Sequence, residues 1–256
     1  MPPTFSCQMA GGFNTFSPML SPKPWRAEAV IQLVAGVFAC LCLGVIIGGV
    51  LEKTGVAAFK SPDSFGRLLL GTLSFQGATW VLIFIFLKQH AVNWRDAFGL
   101  RDEKLKRALG LAVAMMLVIL PVAWGLQYFS ALVLEKTGWL PEAQRAVDLL
   151  VNAKSWWLRG YLAFFTVVLA PVAEEFIFRG MLYPFIKQLG WPKFAWIGVS
   201  LLFALIHVNA ATFVPLFVFA LAQTWLYERT DNLLAPIAAH SLFNGANLVV
   251  LFLLNR

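Results

Sequence analysis

The sequence predicts an all-α fold, a polytopic membrane helix bundle of about 7–8 transmembrane helices. Of its 256 residues, 59% are hydrophobic and only 13% are charged, and the mean hydropathy is +0.74. Such values lie outside the range of soluble globular domains. The apolar residues are also gathered into runs long enough to cross a hydrocarbon core about 30 Å thick, with short polar intervals between them.

Residues 1–26 hold Gly, Pro, Ser and Phe without the pattern of a cleavable signal, and are expected to form a flexible or interfacial tail. Residues 27–256 are expected to form a single membrane domain. Its first run, 29–50, carries Gly36, Gly44 and Gly48, which permit close helix packing. The second, 68–87, ends at Lys88 and leads into a short loop with Arg95, Arg101, Lys104, Lys106 and Arg107. Such a loop stays on the cytoplasmic side. The third, 108–132, contains Pro121, which a membrane helix tolerates as a kink.

The polar interval 135–155 reads as a loop with a short amphipathic helix. The fourth run, 156–173, continues directly into EEFIFRGMLYPFIKQLG, and Gly190 and Pro192 close that helical region. Runs five and six, 194–208 and 212–227, are short and joined by NAA, as in a helical hairpin. In the ERTDN turn that follows, Asp231 is expected to start or cap the last helix, 233–254. Seven spans place the N-terminus in the cytoplasm and the C-terminus opposite. A bacterial inner membrane is the expected location, or the ER or an organellar membrane in a eukaryote.

The net charge of +7 resides on basic residues lying between apolar blocks. It suits loops beside anionic lipid and argues against nucleic acid as a partner. The three cysteines, Cys7, Cys40 and Cys42, suggest neither a disulfide scaffold nor a thiolate site.

Ionisable side chains within membrane segments cost free energy unless they face a protein interior or a water-filled cavity, so they mark function. Here they fall within 156–254, the expected catalytic core. In PVAEEFIFRG, Glu175 and Arg179 are four apart and pair on one helical face. Glu174, turned by about 100°, has no basic partner at i+4 and is left for general acid/base work. The bland alternative is a pair of interfacial acids balanced by Arg179.

His207 ends WIGVSLLFALIH and can share activation of a water with Glu174, bind a metal, or simply pack. His240 and Asn244 in PIAAHSLFNG stack on one face, either as donors to an oxyanion or as interhelical glue. Asn247 falls nearer the flank of that face. Ser200 and Ser241 lie in no Gly-x-Ser-x-Gly elbow, and no His-Glu-x-x-His occurs.

The order Glu-Glu-x-x-x-Arg, Phe-x-x-x-His and His-x-x-x-Asn, worded here EEFIFRG, FALIH and LLAPIAAHSLFN, resembles the CPBP family over about the C-terminal third of the chain. That family includes CAAX prenyl endopeptidases of the Rce1 type and bacteriocin-processing or self-immunity proteins. The resemblance implies an intramembrane endopeptidase acting on a membrane-associated or lipidated peptide, in contact with membrane lipids. It makes Glu174 and His207 the water-activating pair and His240 and Asn244 the oxyanion donors, with Glu175 and Arg179 organising Glu174. Zinc held by Glu174, His207 and His240 and a metal-free glutamate-activated water both suit these residues. A non-catalytic binding or immunity scaffold and a proton-relay transporter are the competing classes.

Overall fold

The computed structural model describes residues 20–23, 25–61, 63–138, 145–153 and 155–254, and they form helices and connecting turns with no strand among them. The nine helices used below are α1 (Ala27–Lys53), α2 (Phe65–Gln89), α3 (Trp94–Phe98), α4 (Asp102–Lys136), α5 (Arg145–Asn152), α6 (Trp156–Gln188), α7 (Pro192–Ile206), α8 (Ala210–Thr230) and α9 (Leu234–Leu254). Six of them, α1, α2, α4, α6, α8 and α9, are long and apolar enough to cross a membrane. The apolar α7 has only 15 residues, about 22 Å at 1.5 Å per residue. The chain is an integral multi-pass membrane protein.

Local chemistry sets the helix ends. Asn93 accepts the Asp96 N–H at 2.9 Å to start α3, Ser155 accepts the Leu158 N–H at the start of α6, and Asn209 accepts the Thr212 N–H at the start of α8. At the end of α3, Gly99 adopts a left-handed φ of +67°, and a Cβ there would collide with the Asp231 carbonyl.

Asp231 departs from its expected role. It ends α8 with φ 44° and ψ 39°, a region that Asp reaches more readily than most residues. The side chain that receives an N–H at the start of α9 is that of Asn232, from Leu234. Asp231 instead accepts from Ser21 and from Lys23 at 3.2 Å. The Lys23 N–H donates to Gln188 Oε1 at 2.7 Å, and Gln188 Nε2 donates back to the Lys23 carbonyl at 2.8 Å. Burial pulls the Lys23 ammonium below its usual range, with Asp231 opposing.

Leu20 and Trp25 are buried, Trp25 lying edge-on to Phe86 at 5.1 Å. The end of the expected flexible or interfacial tail is therefore a docked strap, held by the burial of Leu20 and Trp25 and by the Lys23 bonds to Gln188 and Asp231. Residues 1–19 lie outside the described residues, as do 139–144 of the expected loop between α4 and α5.

In the C-terminal half, α8 packs against α4, α7 and α9, while α6 touches α7 and α9. The joined α7 and α8 are the expected hairpin. Two π-helical turns, Phe165–Leu169 and Phe176–Leu182, interrupt α6 on either side of Glu174 and Glu175. Such wide turns inside helices are frequent at functional sites. A third occurs in α2 at Leu73–Gly77.

Candidate active site

Glu175 and Arg179 are both 0% exposed, and Arg179 Nη1 donates to Glu175 Oε1 at 2.9 Å, as the i, i+4 spacing predicts. A buried guanidinium needs its charge compensated, and here both Nη groups find acceptors while Nε is left without a hydrogen-bond partner. Nη2 donates to the Ala220 carbonyl on α8 at 3.1 Å, and the guanidinium lies 4.8 Å from the centre of the Phe203 ring. The same Glu175 oxygen receives His240 Nδ1 at 2.8 Å and Gln223 Nε2 at 3.4 Å. Glu175 thus joins α6, α8 and α9, rather than pairing with Arg179 alone.

A carboxylate held by Arg179 can only accept from His240, so Nδ1 of that imidazole carries hydrogen and Nε2 is turned the other way. Nε2 lies 3.9 Å from Glu174 Oε2, whose side chain keeps 15% of its exposure. His207 has the same tautomer for a different reason: its Nδ1 lies 2.7 Å from the Phe203 carbonyl, which can only accept. His207 ends α7 and is half-buried.

Phe203 is the apolar centre of this arrangement. Its ring lies 4.8 Å from that of His207, 5.7 Å from that of His240 and 5.3 Å from that of Phe178. Phe219 covers His240 from α8, with ring centres 5.2 Å apart. The turn that follows His207 is strained: Val208 has φ 47° and is 89% exposed, and a β-branched residue is rarely left-handed.

Asn244 is half-buried, and its Nδ2 donates to the Thr166 carbonyl in the first π turn of α6 at 2.8 Å. One amide hydrogen is thereby used and the other is left. Asn247, one turn further along α9, accepts from Trp124 Nε1 of α4 at 2.8 Å and donates to the Phe243 carbonyl. It serves the α4–α9 contact.

The sequence pattern did not expose Gln223, which is 0% exposed and divides its amide hydrogens between Glu175 and the Pro236 carbonyl. The available signal was a lone glutamine inside an apolar helix. Among the described residues, no three His, Cys, Asp or Glu side chains are gathered so as to hold a metal ion. In this arrangement Glu174, His207 and His240 do not make a ligand set. An apolar pocket of about 520 Å³ lies elsewhere, lined by Ala57, Phe59, Phe65, Leu69 and Leu73, and includes none of these polar groups.

Chemically, the cluster offers a carboxylate at the edge of the protein interior, two imidazoles with uncommitted Nε2 atoms and an amide with a spare hydrogen, all within apolar surroundings. Glu174 and His240 are neighbours, and His207 is linked to them through Phe203.

Comparison with known proteins adds a family to this geometry. Residues 155–246 match the family model described as type II CAAX prenyl endopeptidase Rce1-like. UPF0177 protein YxdF of Lactococcus lactis subsp. lactis (strain IL1403) is 28% identical over 88 residues, which cover 33% of this chain and 48% of that protein. The chain thus spans about half the length of the curated relative it matches. No solved structure matches. The matched stretch contains all six residues of the candidate site, and across it the chain is similar to the Rce1-like CAAX prenyl endopeptidase family.

Proposed function

We propose that this protein is an intramembrane endopeptidase that hydrolyses a peptide bond of a membrane-associated or lipidated peptide. The observation that carries this reading is the approach of Glu174 Oε2 to His240 Nε2 at 3.9 Å, in a membrane domain whose matched stretch is Rce1-like.

Glu174, in its carboxylate form, takes a proton from a water while the water oxygen attacks the scissile carbonyl. His207, oriented by the Phe203 carbonyl, holds that water through Nε2. The carbonyl oxygen gains the negative charge. It accepts a hydrogen bond from the spare Asn244 N–H and from Nε2 of a protonated His240, whose Nδ1–H is held by Glu175. Donors fixed in a low-dielectric site stabilise such an oxyanion by several kcal/mol. Collapse of the intermediate breaks the C–N bond, and Glu174 returns its proton to the leaving amine. No step requires Glu175 or Arg179 to change protonation; they hold His240 and the glutamate helix.

The test uses wild-type and Glu174→Gln protein in lipid nanodiscs, incubated with a pool of membrane-tethered peptides that includes prenylated C-termini. New termini are scored by mass spectrometry, with and without a chelator and with zinc returned. Cleavage present in the wild type and lost in the variant supports the hydrolase. Loss on chelation with recovery on adding zinc makes zinc a cofactor of the reaction. Folded wild-type protein that binds peptides without cleaving them would overturn the reading in favour of a binding scaffold.

A further inference from the structure

Helix α6 carries a proline just after each of its π turns, Pro171 after Phe165–Leu169 and Pro184 after Phe176–Leu182. In the first turn the Ala170 N–H bonds the Phe165 carbonyl, five residues back. The Thr166 carbonyl therefore loses its ordinary α-helical donor, which would have been Ala170. Its donor in the wider π pattern would be residue 171, and proline has no N–H. A backbone carbonyl deprived of both helical partners inside a membrane needs a donor from elsewhere. Asn244 Nδ2 meets that need at 2.8 Å.

The third π turn provides an internal contrast. In α2 the corresponding position after Leu73–Gly77 is Thr79, which keeps its N–H.

We propose that Pro171 is a positioning residue: by withholding an N–H from Thr166, it creates the acceptor that fixes the Asn244 amide and aims its second hydrogen into the site. This rests on the proposed hydrolase reading for its catalytic consequence, but not for the hydrogen bond itself. Asn244 on an apolar helix face would otherwise sample several rotamers, and an oxyanion donor is effective only when held in place beforehand. Pro171 thus acts on the reaction through Thr166 and Asn244 without touching the substrate.

Nitrogen-15 NMR of the Asn244 side-chain amide in nanodiscs reads the hydrogen bond without any activity. Pro171→Ala returns an N–H to the helix, so the amide should exchange with solvent about two- to tenfold faster, the factor given by losing one ordinary hydrogen bond. Pro184→Ala, which perturbs the same helix at the other π turn, should leave that exchange unchanged. Equal protection in wild type and Pro171→Ala overturns the proposal, and so does equal loosening by both proline variants.

Where Pro171→Ala does not fold, infrared spectra of carbonyl-labelled threonine decide the matter in a wild-type proline background. Asn244→Leu should move one threonine carbonyl to the frequency of an unbonded group, and an unchanged spectrum overturns the proposal. If the protein cleaves peptides, kcat should fall in Pro171→Ala and in Asn244→Ala without additivity in the double variant, while KM stays constant. Full additivity would assign Pro171 a merely structural role.

Discussion

The Phe203 carbonyl lies 2.7 Å from Nδ1 of His207, one helical turn later, and this bond turns Nε2 of the imidazole away from its own helix. It distinguishes the two nitrogens of His207 in a way that substitution can read. Glutamine places an amide near the Nε2 position, whereas asparagine reaches only Nδ1. In the proposed reaction His207→Asn should lose about 10²- to 10⁴-fold in kcat/KM, and His207→Gln should retain more activity. The order of the two variants in a peptide-cleavage assay checks it, and asparagine outperforming glutamine would contradict the assignment.

Removing one member of a buried ion pair leaves the other charge uncompensated. Glu175→Ala should therefore destabilise the bundle by about 3–5 kcal/mol, because Arg179 would keep only the Ala220 carbonyl and the Phe203 face. A double replacement, Glu175→Leu with Arg179→Met, should recover much of that stability yet leave His240 without its Nδ1 acceptor. Thermal unfolding in detergent and peptide cleavage, measured together, separate the two effects.

Gln223→Leu is expected to cost about 1–3 kcal/mol, since the buried Pro236 carbonyl loses its donor at 2.8 Å. The expected result is a lower unfolding temperature with Gln223→Glu worse still, because a second carboxylate would then face Glu175.

The strap offers a pH test with a definite sign. Lys23, when docked, has its proton affinity lowered by burial, whereas free lysine holds its proton to about pH 10.4. Between those two values the undocked form binds more protons, so docking strengthens as pH rises through the window and levels off above it. Amide protection over residues 20–23 and Trp25, the observed exchange divided by the base-catalysed intrinsic rate at each pH, should rise in that alkaline range in the wild type. In Lys23→Met the protection should stay level with pH.

Much of the bundle was legible because lipid imposes long apolar runs and because i, i+4 spacing puts Glu175 beside Arg179. The three polar segments stood out for the same reason, as expensive groups in an apolar chain. The His240 to Glu175 bond was not legible: it joins residues 65 apart, and no local pattern specifies which carboxylate an imidazole will meet. Phe203 looked like any other apolar residue of α7. Its distinction comes from rings and a guanidinium on three other helices. Asp231 ends α8 rather than starting α9, and its carbonyl lies where a Cβ on Gly99 would stand, a close approach between distant segments that no local pattern specifies.

The Lys23 to Asp231 ion pair spans 208 positions, and this separation fixes an order of events during biosynthesis. At about 5–20 residues per second the partner of Lys23 is made roughly 10–40 s after the lysine itself. The first membrane helices are therefore laid down before this ion pair can form, and it closes only when α8 has been completed and the turn before α9 has formed. A nascent chain arrested before that turn would hold the strap only through partners such as Phe86 and Gln188, so closure of the ion pair reports that the chain has been built through α8.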